Sequence, residues 1–207
     1  MKTVFLQLCL VGTLVQGLNA QTVFDNTAAI SNGADCIEVG ICGFTPGELY
    51  ASFSSGSAPG SISTLDLGLS GDNNSLGAFV VSLYADNSTQ PGGFIADLGT
   101  FSDSGLVNGF DPSIYGVALT NFPSLQPDTR YWIGLSGTTA ALWSWSFDTS
   151  GIGVASEFFS NPEGTFNSSN GPYQMAVGVS STPEIPTIVL LMIGIAGLFL
   201  HRRISWM

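Results

Sequence analysis

The chain is poor in charge, and what it has is nearly all of one sign: four Lys and Arg against fifteen Asp and Glu, with a single His, in 207 residues. The bases sit at the extremities. Between Gln21 and Thr182 the only cation is Arg130, set against fourteen acids, a net of −13. Such a stretch repels nucleic acid and anionic lipid, whose binding depends on Lys and Arg contacts. Without histidine it builds no Ser-His-Asp or Cys-His catalytic set and no His-ligated zinc or iron centre. Without lysine it forms no Schiff base and no phosphate-binding loop. Of the common enzyme chemistries only a pair of carboxylates survives, as in glycoside hydrolysis, and nothing in the spacing of the acids singles out a pair. The expectation is a non-enzymatic protein with no cofactor and no metal centre.

Cysteine is scarce too. Cys9 lies in the N-terminal apolar stretch, which leaves Cys36 and Cys42 in the central region. Two cysteines cannot complete a tetrahedral zinc site. In an oxidising compartment this pair reads as a small disulfide loop, which would stabilise by about 2 kcal/mol through lost chain entropy.

Long apolar runs are confined to the two ends. Lys2, the apolar stretch Val4 to Leu18 and the small residue Ala20 before Gln21 have the three parts of a secretory signal, predicted over residues 1–20. The second run, Thr187 to Leu200, is followed at once by His201, Arg202 and Arg203. Counted from Ile185 it rises about 24 Å as a helix, short of the roughly 30 Å hydrocarbon core. It spans only with local thinning or snorkelling. Arg202 and Arg203 are placed as a topological stop on the cytoplasmic side. A plain single-pass anchor at the inner membrane is the simpler alternative.

The order Pro183-Glu184-Ile185-Pro186, short apolar helix 187–200, then basic cluster resembles the PEP-CTERM sorting signal of Gram-negative bacteria. That resemblance implies recognition of residues 183–207 by an exosortase, a membrane transpeptidase. The motif departs from Pro-Glu-Pro by carrying its second proline one place late.

The middle, residues 21–182, spans about 160 residues, enough for one domain with a core of its own. Apolar and polar residues alternate at Leu65/Leu67/Leu69, Phe79/Val81/Leu83, Tyr131/Ile133/Leu135, Trp143/Trp145/Phe147 and Met175/Val177/Val179. A period of two marks half-buried strands. Turn formers separate them: Gly71-Asp72-Asn73-Asn74, Pro91-Gly92-Gly93, Pro127-Asp128 and Asn170-Gly171-Pro172. Eight to ten short strands are predicted, arranged as an antiparallel β-sandwich of jelly-roll type. The segments Leu83-Tyr84-Ala85-Asp86, Gln90-Pro91-Gly92 and Leu125 through Ile133 resemble the choice-of-anchor R domain. This is a family of exported bacterial domains found with alternative C-terminal anchors. The resemblance implies a sandwich displayed outside the cell and no established activity.

Three candidate ligand features remain. Trp143, Trp145 and Phe147 share one face of a strand. They either pack inside the sandwich, with Ser144 and Ser146 facing solvent, or offer rings for stacking. Trp132 lies on the face opposite Tyr131 and Ile133, and either packs beneath a loop or contacts a ligand. Asp72-Asn73-Asn74 and Asp86-Asn87 contain oxygen donors for Ca²⁺, without the spacing of a calcium loop. The expectation is an exported surface or matrix protein with a structural or adhesive role, exopolysaccharide being a candidate partner. The alternative is a carbohydrate-binding module centred on Trp132 and neighbouring acids, with or without calcium.

Overall fold

The computed structural model describes residues 20–37, 47–57, 59–71, 77–107, 109, 111–138, 141–167, 169 and 171–181. The expected signal peptide, the sorting motif Pro183 to Pro186, the membrane helix 187–200, Arg202, Arg203, Cys42 and Asp72-Asn73-Asn74 therefore lie outside the described residues. Among the described residues, no helix is long and apolar enough to cross a membrane.

Those residues form thirteen strands in two antiparallel sheets. The first sheet contains β1 (Ala20–Asp25), β2 (Gly33–Cys36), β4 (Gly60–Ser70), β7 (Ser113–Gly116), β8 (Ser124–Leu125), β10 (Leu142–Trp145) and β13 (Met175–Ser181). Its order is β1-β13-β4-β10-β2, with β7 and β8 also paired to the long strand β4. The second sheet contains β3 (Leu49–Ser54), β5 (Ala78–Asp86), β6 (Pro91–Ser102), β9 (Arg130–Gly137), β11 (Phe158–Asn161) and β12 (Gly164–Asn167). Its order is β12-β11-β3-β9-β5-β6.

The core is built from the alternating positions. Leu65, Leu67 and Leu69 of the first sheet belong to one buried cluster with Leu49, Phe53, Phe79, Val81, Leu83, Ile133 and Leu135 of the second. The fold is all-β and sandwich-like, as the period-two runs predict. The number of strands exceeds the expected eight to ten because β2, β7, β8, β11 and β12 have four residues or fewer. Runs that short are too brief to display an alternation.

The chain enters and leaves this structure at one place. β1 pairs with β13 so that Ala20 faces Ser180 and Gln21 faces Val179.

The expected aromatic row grades from inside to outside. Trp143 is fully buried, stacked on Tyr173 at 4.7 Å, and its indole donates to the Gln174 carbonyl at 2.9 Å. Trp145 is half-buried and Phe147, beyond the end of β10, is 61% exposed. The solvent-facing role expected for Ser144 and Ser146 is overturned, because both are fully buried. Neighbouring chain wraps this end of the first sheet: the Asn32 amide donates to the Trp145 carbonyl, the Ser146 amide to Pro172 and the Gln174 amide to Ser144.

One turn is locally strained. Asn87 and Gln90 exchange backbone hydrogen bonds (2.8 and 3.3 Å) around Ser88 and Thr89, whose φ values are +52° and +78°. A two-residue hairpin with both central residues at positive φ is a type I′ turn, which favours Asn-Gly. A β-branched threonine in that region is an outlier. The double substitution Ser88→Asn, Thr89→Gly is expected to stabilise the domain by about 1 kcal/mol. Thermal unfolding followed by circular dichroism should then shift upward by roughly 2–4 °C.

Candidate functional site

The outer face of the six-stranded sheet collects polar and aromatic side chains in rows set by the strand register. The first row runs Thr165–Ser160–Tyr50–Gly134–Ser82–Asp97, one residue from each strand. The next contains Ser52, Trp132, Tyr84 and Phe94. Beyond it, Ser54 and Arg130 are cross-strand partners, and Asp86 and Glu157 close on the same guanidinium. This face exists because β3 reads Leu-Tyr-Ala-Ser-Phe-Ser, with Leu49, Ala51 and Phe53 in the core and Tyr50, Ser52 and Ser54 turned away from it.

Glu157 organises one end. It is 2% exposed and accepts the Ser52 hydroxyl at 2.7 Å, the Ser54 hydroxyl at 2.6 Å and the Arg130 Nε at 3.0 Å. Arg130 also donates to the Ser156 carbonyl at 3.0 Å, lies 3.9 Å from an Asp86 carboxylate oxygen and covers the Phe158 ring at 4.8 Å. The domain's sole cation is thus committed to a structural ion pair. A buried carboxylate is tolerated only with such partners.

Trp132 is fully buried. It lies between its cross-strand partners Ser52 and Tyr84, and its indole nitrogen donates to Asp86 Oδ1 at 2.8 Å. Of the two roles read from the sequence, packing holds. The ligand-contact role is corrected, since a ring with no accessible surface touches no ligand. Asp86 is likewise engaged by the indole and by the Thr89 amide of its own turn at 3.5 Å.

The accessible part of the face lies beside Trp132. Tyr50 and Tyr84 meet edge to face at 5.3 Å, and Tyr84 meets Phe94 in the same manner at 5.7 Å. Both tyrosines are half-buried, whereas Phe94 is 58% exposed. The two phenol rings lie across bare backbone: a Cβ on Gly134 would stand 2.7 Å from Tyr84 Cε2 and 2.9 Å from Tyr50 Cε1. Tyr50 donates its hydroxyl to Glu48. At the other flank the Ser82 hydroxyl donates to Asp97 Oδ1 at 2.8 Å. Burial, then the hydrogen bond to Glu48, pushes the Tyr50 phenol well above its ordinary pKa; burial and then the Glu48 charge push Tyr84 the same way. Both stay protonated at neutral pH.

A second cluster is wholly structural. The Tyr173 hydroxyl donates to Asp35 Oδ2 at 2.5 Å, and Asn161 donates to the same oxygen at 3.4 Å. Burial and the Asp35 charge hold that phenol protonated.

Cys36 is buried and disulfide-bonded, while Cys42 falls outside the described residues. No group of three or more His, Cys, Asp or Glu side chains among the described residues could hold a metal ion. Tyr50, Tyr84 and Phe94 were not singled out as site residues from the sequence. The alternation around Tyr50 and Tyr84 announces their outward direction, but their meeting across β9 depends on strand order, which alternation does not encode.

No protein-family model matches this sequence, and no curated protein is significantly similar to it.

Proposed function

We propose that this chain is an exported bacterial surface or extracellular-matrix protein with a structural or adhesive, non-enzymatic role. Residues 1–20 direct export, and the β domain is held outside the inner membrane by helix 187–200. Pro183-Glu184-Ile185-Pro186 is then the element through which an exosortase-like transpeptidase processes the tail. The two sheets are taken as a jelly-roll of the choice-of-anchor kind.

The observation that carries the proposal is where the sheets begin and end. Among the described residues the first strand begins at Ala20, beside the expected signal-peptidase site, and the last ends at Ser181, two residues before the sorting motif. The disulfide at Cys36 suits an oxidising compartment.

Intact-mass analysis of fractionated cells tests the proposal. The native protein is expected to end near residue 183 and to be found outside the inner membrane, whereas Pro183→Ala, Glu184→Ala is retained there uncut. A native form still carrying Trp206-Met207 in the inner membrane, unchanged by the substitutions, would sink the sorting mechanism.

A further inference from the structure

We propose that the outer face of the six-stranded sheet carries a binding site for a neutral saccharide, with Phe94 as its stacking ring, Tyr84 standing edge to face beside it, Tyr50 as the supporting wall, and Glu48 and Asp97 as flanking acceptors. The site is independent of how the tail is processed.

Three observations converge on it. The first is the aromatic cluster itself. Tyr50, Tyr84 and Phe94 stand in contact on the solvent side of the sheet, and Phe94 keeps more than half its surface in water. Aromatic rings left at a surface present a flat apolar area of fixed orientation at low conformational cost. A pyranose matches it, because one side of the sugar ring displays only C–H groups.

The second observation is the company those rings keep. Carboxylates flank them on both sides, and the charge of Glu48 and of Asp97 reaches the Tyr84 phenol. Asp97 is exposed; its Oδ1 takes the Ser82 hydroxyl, and its Oδ2 accepts no hydrogen bond from the described residues. Carboxylates are acceptors only, and hydrogen bonds to charged groups are among the stronger ones. A ligand seated there must bring donors around its rim and an apolar face at its centre. A polyol ring does both.

Charge is the third. Arg130, the domain's single cation, is spent on Glu157 and Asp86. Among the described residues nothing positive remains beside the rings to meet a uronic acid, a sulfate or a phosphate, so the strong net negative charge selects against anionic polysaccharides. The rigidity of the platform has its own source. Gly134 leaves room for both phenols to approach its backbone closely, and the buried Trp132 is the cross-strand neighbour of Tyr84 in the same row.

Affinity electrophoresis of the full-length chain in a polyoxyethylene detergent, which carries no sugar of its own, tests the site. Gels contain a neutral glucan, mannan or galactan, with alginate as the anionic comparison. At least one neutral polymer is expected to retard the protein and alginate is not. Phe94→Ala and Tyr84→Ala are each expected to weaken that retardation about tenfold. Phe94→Ala should leave the thermal midpoint within about 2 °C of the parent, as for other surface changes, so a lost signal with this variant is not a lost fold. Absence of retardation by all three neutral polymers, or retardation that survives both substitutions, would overturn the proposal. A concentration-dependent dimer in sedimentation velocity, abolished by Phe94→Ala, would also overturn it and assign the face to a second copy of the chain.

Discussion

Trp132→Ala is expected to lower the unfolding free energy by about 3–5 kcal/mol, the range for deleting a fully buried large aromatic. Trp132 has no accessible surface and its indole holds Asp86 Oδ1 at 2.8 Å. The variant therefore empties a site in the middle of β9 and leaves a half-buried carboxylate short of a donor. With about 2–4 °C per kcal/mol for a domain of this size, the thermal midpoint should fall by more than roughly 6 °C. Trp132→Phe separates the two contributions, since it retains most of the volume and removes the hydrogen bond. It should cost only about 1–2 kcal/mol. Urea titration of the three proteins measures both differences. A Trp132→Ala protein as stable as the parent would mean that the ring is not packed beneath its neighbours, and would reopen its role as a contact residue.

Glu157→Ala should be nearly as damaging, at about 3 kcal/mol, for a different reason. Removal of one member of a buried charge pair leaves the remaining charge without compensation. Here Arg130 would lose its 3.0 Å partner, and the Ser52 and Ser54 hydroxyls would lose the acceptor that both share. Arg130 is 24% exposed, so water recovers part of the loss on its side, whereas the site of Glu157 is closed. Glu157→Gln keeps the shape and one acceptor oxygen and should fall between the parent and Glu157→Ala. The same urea titrations measure this series; equal stability of the alanine and glutamine variants would mean that the ion pair contributes little and that packing alone matters there.

The long strands were legible in the sequence because one of their faces is buried and the other is not. Leu65, Leu67 and Leu69, or Phe79, Val81 and Leu83, alternate for as long as the sheet needs them to. The turn residues Pro127-Asp128 and Pro91-Gly92 punctuate them at the places where strands begin. The ion-pair role of Arg130 was also within reach, since a lone cation among fourteen acids is seldom unpaired. Ser144 and Ser146 show where such reasoning stops. A polar residue on the outward side of a strand predicts solvent only if nothing crosses that side, and here the chain from Asn26 to Asn32 and from Pro172 to Gln174 comes back over it. Trp132 illustrates the same limit, outward by alternation and buried by its neighbours. The Tyr50–Tyr84–Phe94 cluster belongs to a third category. Its members come from three strands, and only the order β3-β9-β5-β6 puts Tyr50 and Tyr84 on either side of a glycine and Phe94 beside them.

The pairing of Ala20 with Ser180 has a mechanical side. Tension applied between Ala20 and Ser181 acts across the β1–β13 ladder, at right angles to the strands, and opens its hydrogen bonds one after another from the end. A load shared by all the bonds of a ladder at once requires the chain ends to leave at opposite ends of the paired strands, which these do not. The domain is therefore weak to pulling by both its own ends. Held by the C-terminal side alone, with its N-terminus free, the same ladder carries no such tension, and β1 stays in place as the covering strand of β13.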